Sequence, residues 1–135
     1  MMMKKNGILN PNLSRIIASM GHTDKLVICD SGLPIPRNKE IVDLALTKNI
    51  PRFIDTLRTV LKELKVESAV IAEEMKKENH RIFDRVNRTL SGIPIEVVPH
   101  EQFKEITQNE GTIAFVRTGE ATPFANIILI SGVTF

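Results

Sequence analysis

Two runs in this chain, LVIC at 26–29 and IILI at 127–130, are apolar at every position and only four residues long. Four residues make barely one helical turn, so such runs read as strands, and a strand with no polar side needs cover on both faces. The segments between the runs supply that cover. Asn10 followed by Pro11 is a helix start, an N-cap side chain ahead of a proline that suits the first turn. Leu13, Ile16, Ile17 and Met20 follow at helical spacing, and Gly21 is placed to end the helix in a left-handed conformation. Pro51 opens a second helix with an apolar face of Phe53, Leu57, Val60, Leu61 and Leu64. Glu73 and Glu74 mark a strand end and a helix start; Met75, Ile82, Phe83, Val86 and Leu90 form the face of that third helix. HEQFKEI at 100–106 begins a short fourth. Further strands are expected at 41–46, 66–72, 93–98, 112–116 and 126–130, the last containing IILI. Strands alternating with helices make a single layered α/β domain over residues 1–135, with a largely parallel sheet.

Composition narrows the class. With no tryptophan or tyrosine and six phenylalanines, aliphatic side chains must fill most of the interior. The formal net charge is +2 and no block of five like charges occurs, which argues against nucleic acid as the main partner. No apolar run is long enough to span a membrane. The opening MMMKKNGILN lacks the apolar stretch of a secretion signal, and its first two methionines fit an uncertain start site. The single cysteine, Cys29, excludes an intrachain disulfide, reads as a small buried hydrophobe and fits a reducing cytoplasm. Free tails fray and are polar, yet this chain ends in ANIILISGVTF. Val133 and Phe135 are therefore expected to pack, first against the chain's own core and second against a neighbour.

In open α/β sheets, ligands bind beyond the carboxyl ends of the strands. Asp30 closes the run LVIC, His100 follows IEVVP, and Arg117 closes IAFVR ahead of the loop TGEATPFAN. Three strand ends thus deliver Asp30, His100 and the 117–126 loop to one rim. Each residue also has an ordinary reading. His22 offsets a helix dipole, Asp30 bonds the turn at Ser31 and Gly32, and His100 caps the helix opened by Glu101. Lys104, one turn beyond His100, is solvated, Arg117 and Glu120 pair across their own turn, and His80 sits on a charged helix face. The phosphate-binding loop GxxxxGK[ST], the fingerprint GxGxxG and the nucleophile elbow GxSxG are all absent, and no histidine or cysteine spacing suits zinc. Two histidines, a carboxylate, an amide and cations remain, a set suited to acid–base handling of a hydroxyl-rich small molecule.

Three blocks carry a likeness: GILNPNLSRIIASMGHTDKLVICDSGLPIP at 7–36, PHEQFK at 99–104 and RTGEATPFANIILISGVTF at 117–135. Together they resemble the ribose/fucose mutarotase family, over about residues 3–135 and weakly between about 58 and 92. The resemblance implies an α/β/α fold and cofactor-free interconversion of β-D-ribopyranose and β-D-ribofuranose by general acid–base ring opening and closure. It also implies homodecamers of two stacked pentamers, with sites between adjacent subunits. It points to His22 as the catalytic proton donor, to Asp30, His100, Phe124, Ala125 and Asn126 as sugar contacts, and to Lys104 near the sugar. Many members carry tyrosine at the position of Phe124, so a phenol hydrogen bond is missing here. Histidine can both give and take a proton near neutrality; Asp30 either orients that imidazole or anchors a sugar hydroxyl. The alternatives are the same chemistry on another sugar such as L-fucose, a non-catalytic sugar-binding module, and a structural ring protein.

Overall fold

The computed structural model describes residues 3–135, so Met1 and Met2 of the expected domain lie outside the described residues. Its first helix, α1 (Pro11–Ser19), is capped as the sequence predicts: Asn10 Oδ1 accepts the Leu13 N–H at 2.9 Å. Leu13 and Ile16 are buried, with Ile17 and Met20 packed at the margin. The helix ends differently from expectation. Met20 closes it in an extended conformation and Gly21 is not left-handed, whereas Thr23 is, at φ 71°. Asp24 is the reason: its carboxylate accepts the Gly21 N–H at 2.8 Å, so a side chain, not glycine's freedom, makes the turn.

Six strands follow as one sheet: β1 (Lys25–Cys29), β2 (Glu40–Asp43), β3 (Val66–Ala72), β4 (Ile95–Val98), β5 (Thr112–Arg117) and β6 (Ile127–Ser131), in the order β2-β5-β1-β6-β3-β4. Every pairing is parallel except those of β6, which runs antiparallel to both β1 and β3. The loop at 118–126 carries no helix to act as a crossover, so β6 returns in the opposite sense.

LVIC and IILI lie side by side at the centre of the sheet, with Val27 opposite Ile128. Their side chains divide strictly. Leu26, Ile28, Ile127 and Leu129 enter one core with α1, α2 (Phe53–Leu61) and α4 (His80–Thr89). Val27, Cys29 and Ile128 enter a second core with Phe103 of α5 (His100–Thr107). Helices therefore cover both faces, the α/β/α layering expected. Burial pushes the Cys29 thiol up to about 12, as befits a small hydrophobe.

Several expectations are corrected. The strand expected at 41–46 is shorter, Glu40–Asp43, and Leu46 is exposed. The helix expected to open at Pro51 begins at Phe53, whose N–H donates to Glu120 Oε1 at 3.0 Å. The third helix is two helices, α3 (Glu73–Glu78) and α4, broken at Asn79. Asn79 is buried and spends its amide on another segment, Nδ2 donating to Thr122 Oγ1 at 2.9 Å and Pro123 O at 2.8 Å. The tail is not packed into its own core: Phe135 is fully exposed and Val133 partly so. The last strand stops at Ser131, Gly132 still bonds Lys65 O at 2.8 Å, and beyond that the chain runs past the sheet.

Candidate functional site

Strands β1 to β5 all point to the same edge of the sheet, and β6 starts from it. The carboxyl ends of β1, β4 and β5 deliver Asp30, His100 and the 118–126 loop there, as the sequence predicts. Asp30 anchors the rim. Its N–H donates to Asn126 Oδ1, and its Oδ1 accepts from the Gly32 and Leu33 N–H groups, each at 2.9 Å. The turn reading of Asp30 is therefore right, but it occupies only one carboxylate oxygen. Burial raises the Asp30 carboxyl above its usual value, and the amides of Gly32, Leu33 and Ala125, with His100, offset part of that rise.

His100 does not cap its helix. Pro99 holds the cap position, and the Glu74 carboxylate accepts the His100 N–H at 3.0 Å. The imidazole is thus left to the rim, stacked on Phe103 at 6.2 Å between centroids and met edge-on by Phe124 at 5.0 Å. Its Nδ1 is buried without a hydrogen-bond partner among the described residues. An orphaned buried nitrogen is uncommon and marks a place where a ligand or water completes the set. Phe124 itself takes a left-handed φ of 58°, and its carbonyl accepts the Asn126 N–H at 2.9 Å. That tight turn swings the Phe124 ring toward His100 and leaves Asn126 facing Asp30.

Asp30, His100, Phe124 and Asn126, with Leu33 and Pro34, line an open cleft of ≈ 210 Å³. Ala125 is fully buried and supplies backbone only. Lys104 is outside the lining and pairs with Glu101 Oε1 at 3.0 Å. His22 is elsewhere. It sits on the turn before β1, and the five residue steps from Lys25 to Asp30 along an extended chain span about 16 Å. There it lines a separate open cleft of ≈ 370 Å³ with Met20, Leu64, Val133 and Phe135. Within one chain, then, Asp30 does not orient His22. A site holding both groups needs two protomers.

Two residues of the rim's support escaped the sequence reading. Glu120, expected to pair with Arg117, is completely buried and takes four bonds from elsewhere: the Phe53 N–H at 3.0 Å, Thr122 Oγ1 at 2.7 Å, and Arg52 Nη2 and Nε at 3.2 and 3.4 Å. Burial alone would raise its carboxyl; Arg52, the Phe53 amide and Thr122 outweigh that and hold it below the usual carboxylate range. Arg117 pairs instead with Asp43 at 3.1 Å, because β5 and β2 run in register there. Asn79 is the second, pinning 122–123 just ahead of Phe124. An Asn79→Ala variant is expected to lose about 0.5–1.5 kcal/mol per bond in a urea melt, since it removes the donor that meets the half-buried Thr122 hydroxyl and the Pro123 carbonyl. It should also weaken ligand binding at the rim, read by titration calorimetry.

The model of the RbsD / FucU transport protein family matches residues 3–134. The chain belongs to this family. Curated relatives in it include the D-ribose pyranase of Coprothermobacter proteolyticus, 54% identical over 98% of this chain and 100% of its own length. That of Geobacillus kaustophilus is 49% identical over 98% and 96%. Among solved structures, Bacillus subtilis RbsD complexed with D-ribose superposes with a TM-score of 0.93 at 44% identity, over 98% of this chain and 100% of that one. The Streptococcus pneumoniae fucose mutarotase in complex with L-fucose, at 24% identity and a TM-score of 0.78 over 94% and 95%, shares the RbsD / FucU fold.

Proposed function

We propose that this chain is a D-ribose pyranase, an isomerase that interconverts β-D-ribopyranose and β-D-ribofuranose. The observation that carries the reading is the rim cleft, where Asp30, His100 and Asn126 surround an apolar wall of Leu33 and Phe124. It lies in a chain 44% identical, end to end, to a protein solved with D-ribose. Hydroxyls both donate and accept, and the cleft offers both functions: a carboxylate oxygen, an unpartnered imidazole nitrogen and an amide. Phe124 covers an apolar sugar face in place of the phenol, and Lys104, freed from Glu101, reaches a more distant hydroxyl.

A cyclic pentose is a hemiacetal. Opening the pyranose breaks the bond between C1 and the ring oxygen as that oxygen takes a proton and the anomeric hydroxyl loses one. The free aldehyde then turns about its carbon chain, and a different hydroxyl closes on C1 to give the furanose. Atoms and charge balance without a redox partner. His22 is the proton donor to the ring oxygen in one direction and the acceptor in the other, a role that suits imidazole near neutral pH. It reaches the sugar from the neighbouring protomer, which explains its separation from the rim and the exposed Val133 and Phe135 beside it. Ten subunits in two stacked pentameric rings satisfy that geometry, and the free Cys29 suits the cytoplasm.

Saturation-transfer NMR on equilibrated ribose tests the reading. Faster exchange between pyranose and furanose signals is expected with the protein present; line broadening without exchange would mean a binder only. The same measurement with L-fucose is expected to show much weaker catalysis. Native mass measurement is expected to give ten subunits, and a fully active monomer would refute the shared site.

A further inference from the structure

We infer that Glu67 is the positioning residue for His22, gripping the imidazole at Nε2 so that Nδ1 is the nitrogen presented to the sugar. This rests on the proposed proton transfer by His22. His22 Nε2 lies 3.2 Å from Glu67 Oε2. A carboxylate only accepts, so the nitrogen facing it carries the hydrogen, and in the neutral ring the lone pair is left on Nδ1. Among the described residues Nδ1 makes no hydrogen bond.

The backbone is shaped to put Glu67 there. Val66 pairs with Ser131 and Ser68 with Ile130, so Glu67 is the extra residue of a bulge in β3. Bulges re-aim a side chain at the expense of regular pairing. Gly132 leaves the room: a Cβ at that position would stand 3.1 Å from Glu67 Cβ and 3.4 Å from its nitrogen. The turn bearing His22 is tied to the same corner, since the Thr23 N–H donates to Ser131 O at 2.9 Å with Thr23 in its left-handed conformation. Both partners are thereby referenced to residues 131–132. Stability does not account for this construction. The two side chains are 53% and 42% exposed, and a pair so hydrated contributes little to folding. Holding one ring nitrogen outward does account for it.

The test uses assembled protein with three variants, Glu67→Ala, Glu67→Gln and His22→Ala, measured by exchange NMR and by ¹⁵N shifts of the His22 ring. Glu67→Ala is expected to lower kcat by about 10–100-fold with KM little changed, because misaimed groups lose rate before they lose binding. Its ring shifts should move from the single Nε2–H tautomer toward a mixture. Glu67→Gln, whose amide oxygen still accepts from Nε2, should recover part of both. If Glu67→Ala does not assemble, Glu67→Met, which also lacks an acceptor, carries the same expectations. Wild-type kcat, or an unmoved tautomer, in the acceptor-free variant overturns the inference while inactive His22→Ala leaves the catalytic reading standing. Full activity in His22→Ala brings down the catalytic reading itself.

Discussion

A His22→Ala protein is expected to assemble and bind ribose normally yet lose about 10²–10⁴-fold of catalysed ring interchange, the usual worth of a positioned acid–base group. The separation of the two clefts is what makes so clean a loss possible. Asp30, His100 and Asn126 line the cleft at the carboxyl edge of the sheet, while His22 stands at the opposite edge on a half-exposed side chain. Removing it disturbs neither core, so stability should change by less than about 0.5 kcal/mol. The same division predicts complementation. A His22→Ala subunit retains its rim, and an Asp30→Ala subunit retains its imidazole. Mixed rings of the two, each nearly inactive alone, should regain activity, because roughly one shared site in four then combines two intact halves. Activity that stays at the level of the parents after mixing would show that each chain works alone.

Glu120→Gln is the substitution expected to weaken the fold most among those proposed, by about 2–3 kcal/mol at pH 7. The carboxylate of Glu120 is fully buried and accepts from the Phe53 N–H and Thr122 hydroxyl. An amide keeps the shape but turns a donor toward one of them and toward Arg52. Arg52 is half exposed, so its share of the loss is small, and the buried Phe53 amide and the half-buried Thr122 hydroxyl account for most of it. The sign of the pH dependence follows. The folded carboxyl sits below its ordinary value of 4.5, so its stabilisation is complete above that value and disappears as pH falls through the folded one. Urea melts of wild type and variant should therefore differ most at neutral pH and converge in acid. A gap that does not change with pH would show that the charge is not what matters. The site should feel the change too, since the carbonyl of Glu120 accepts both the Ser31 N–H and its hydroxyl, next to Asp30.

Much of this architecture is legible in local pattern. LVIC and IILI demand cover on both faces, and the two cores provide it from alternate side chains. Asn10 and Pro11 announce α1, and strand ends predict which residues reach the rim. Local pattern fails where a residue is claimed by a distant one. Asn79 interrupts an otherwise continuous helical face because its amide is needed by residues 122–123. Arg117 turns from nearby Glu120 to Asp43 because two strands happen to lie in register. The two-faced sheet, its helical cover and the polar rim at its carboxyl edge are readable from the chain alone, since periodicity reports what each element needs against it. Folding in three dimensions was needed to bring Glu120 to Arg52 across 68 residues and Glu67 to His22 across 45, and to set His22 and Asp30, eight apart in the chain, at opposite ends of one strand. Those outcomes depend on strand order and direction, and an extended segment carries its neighbours apart at the same rate that the sheet brings strangers together.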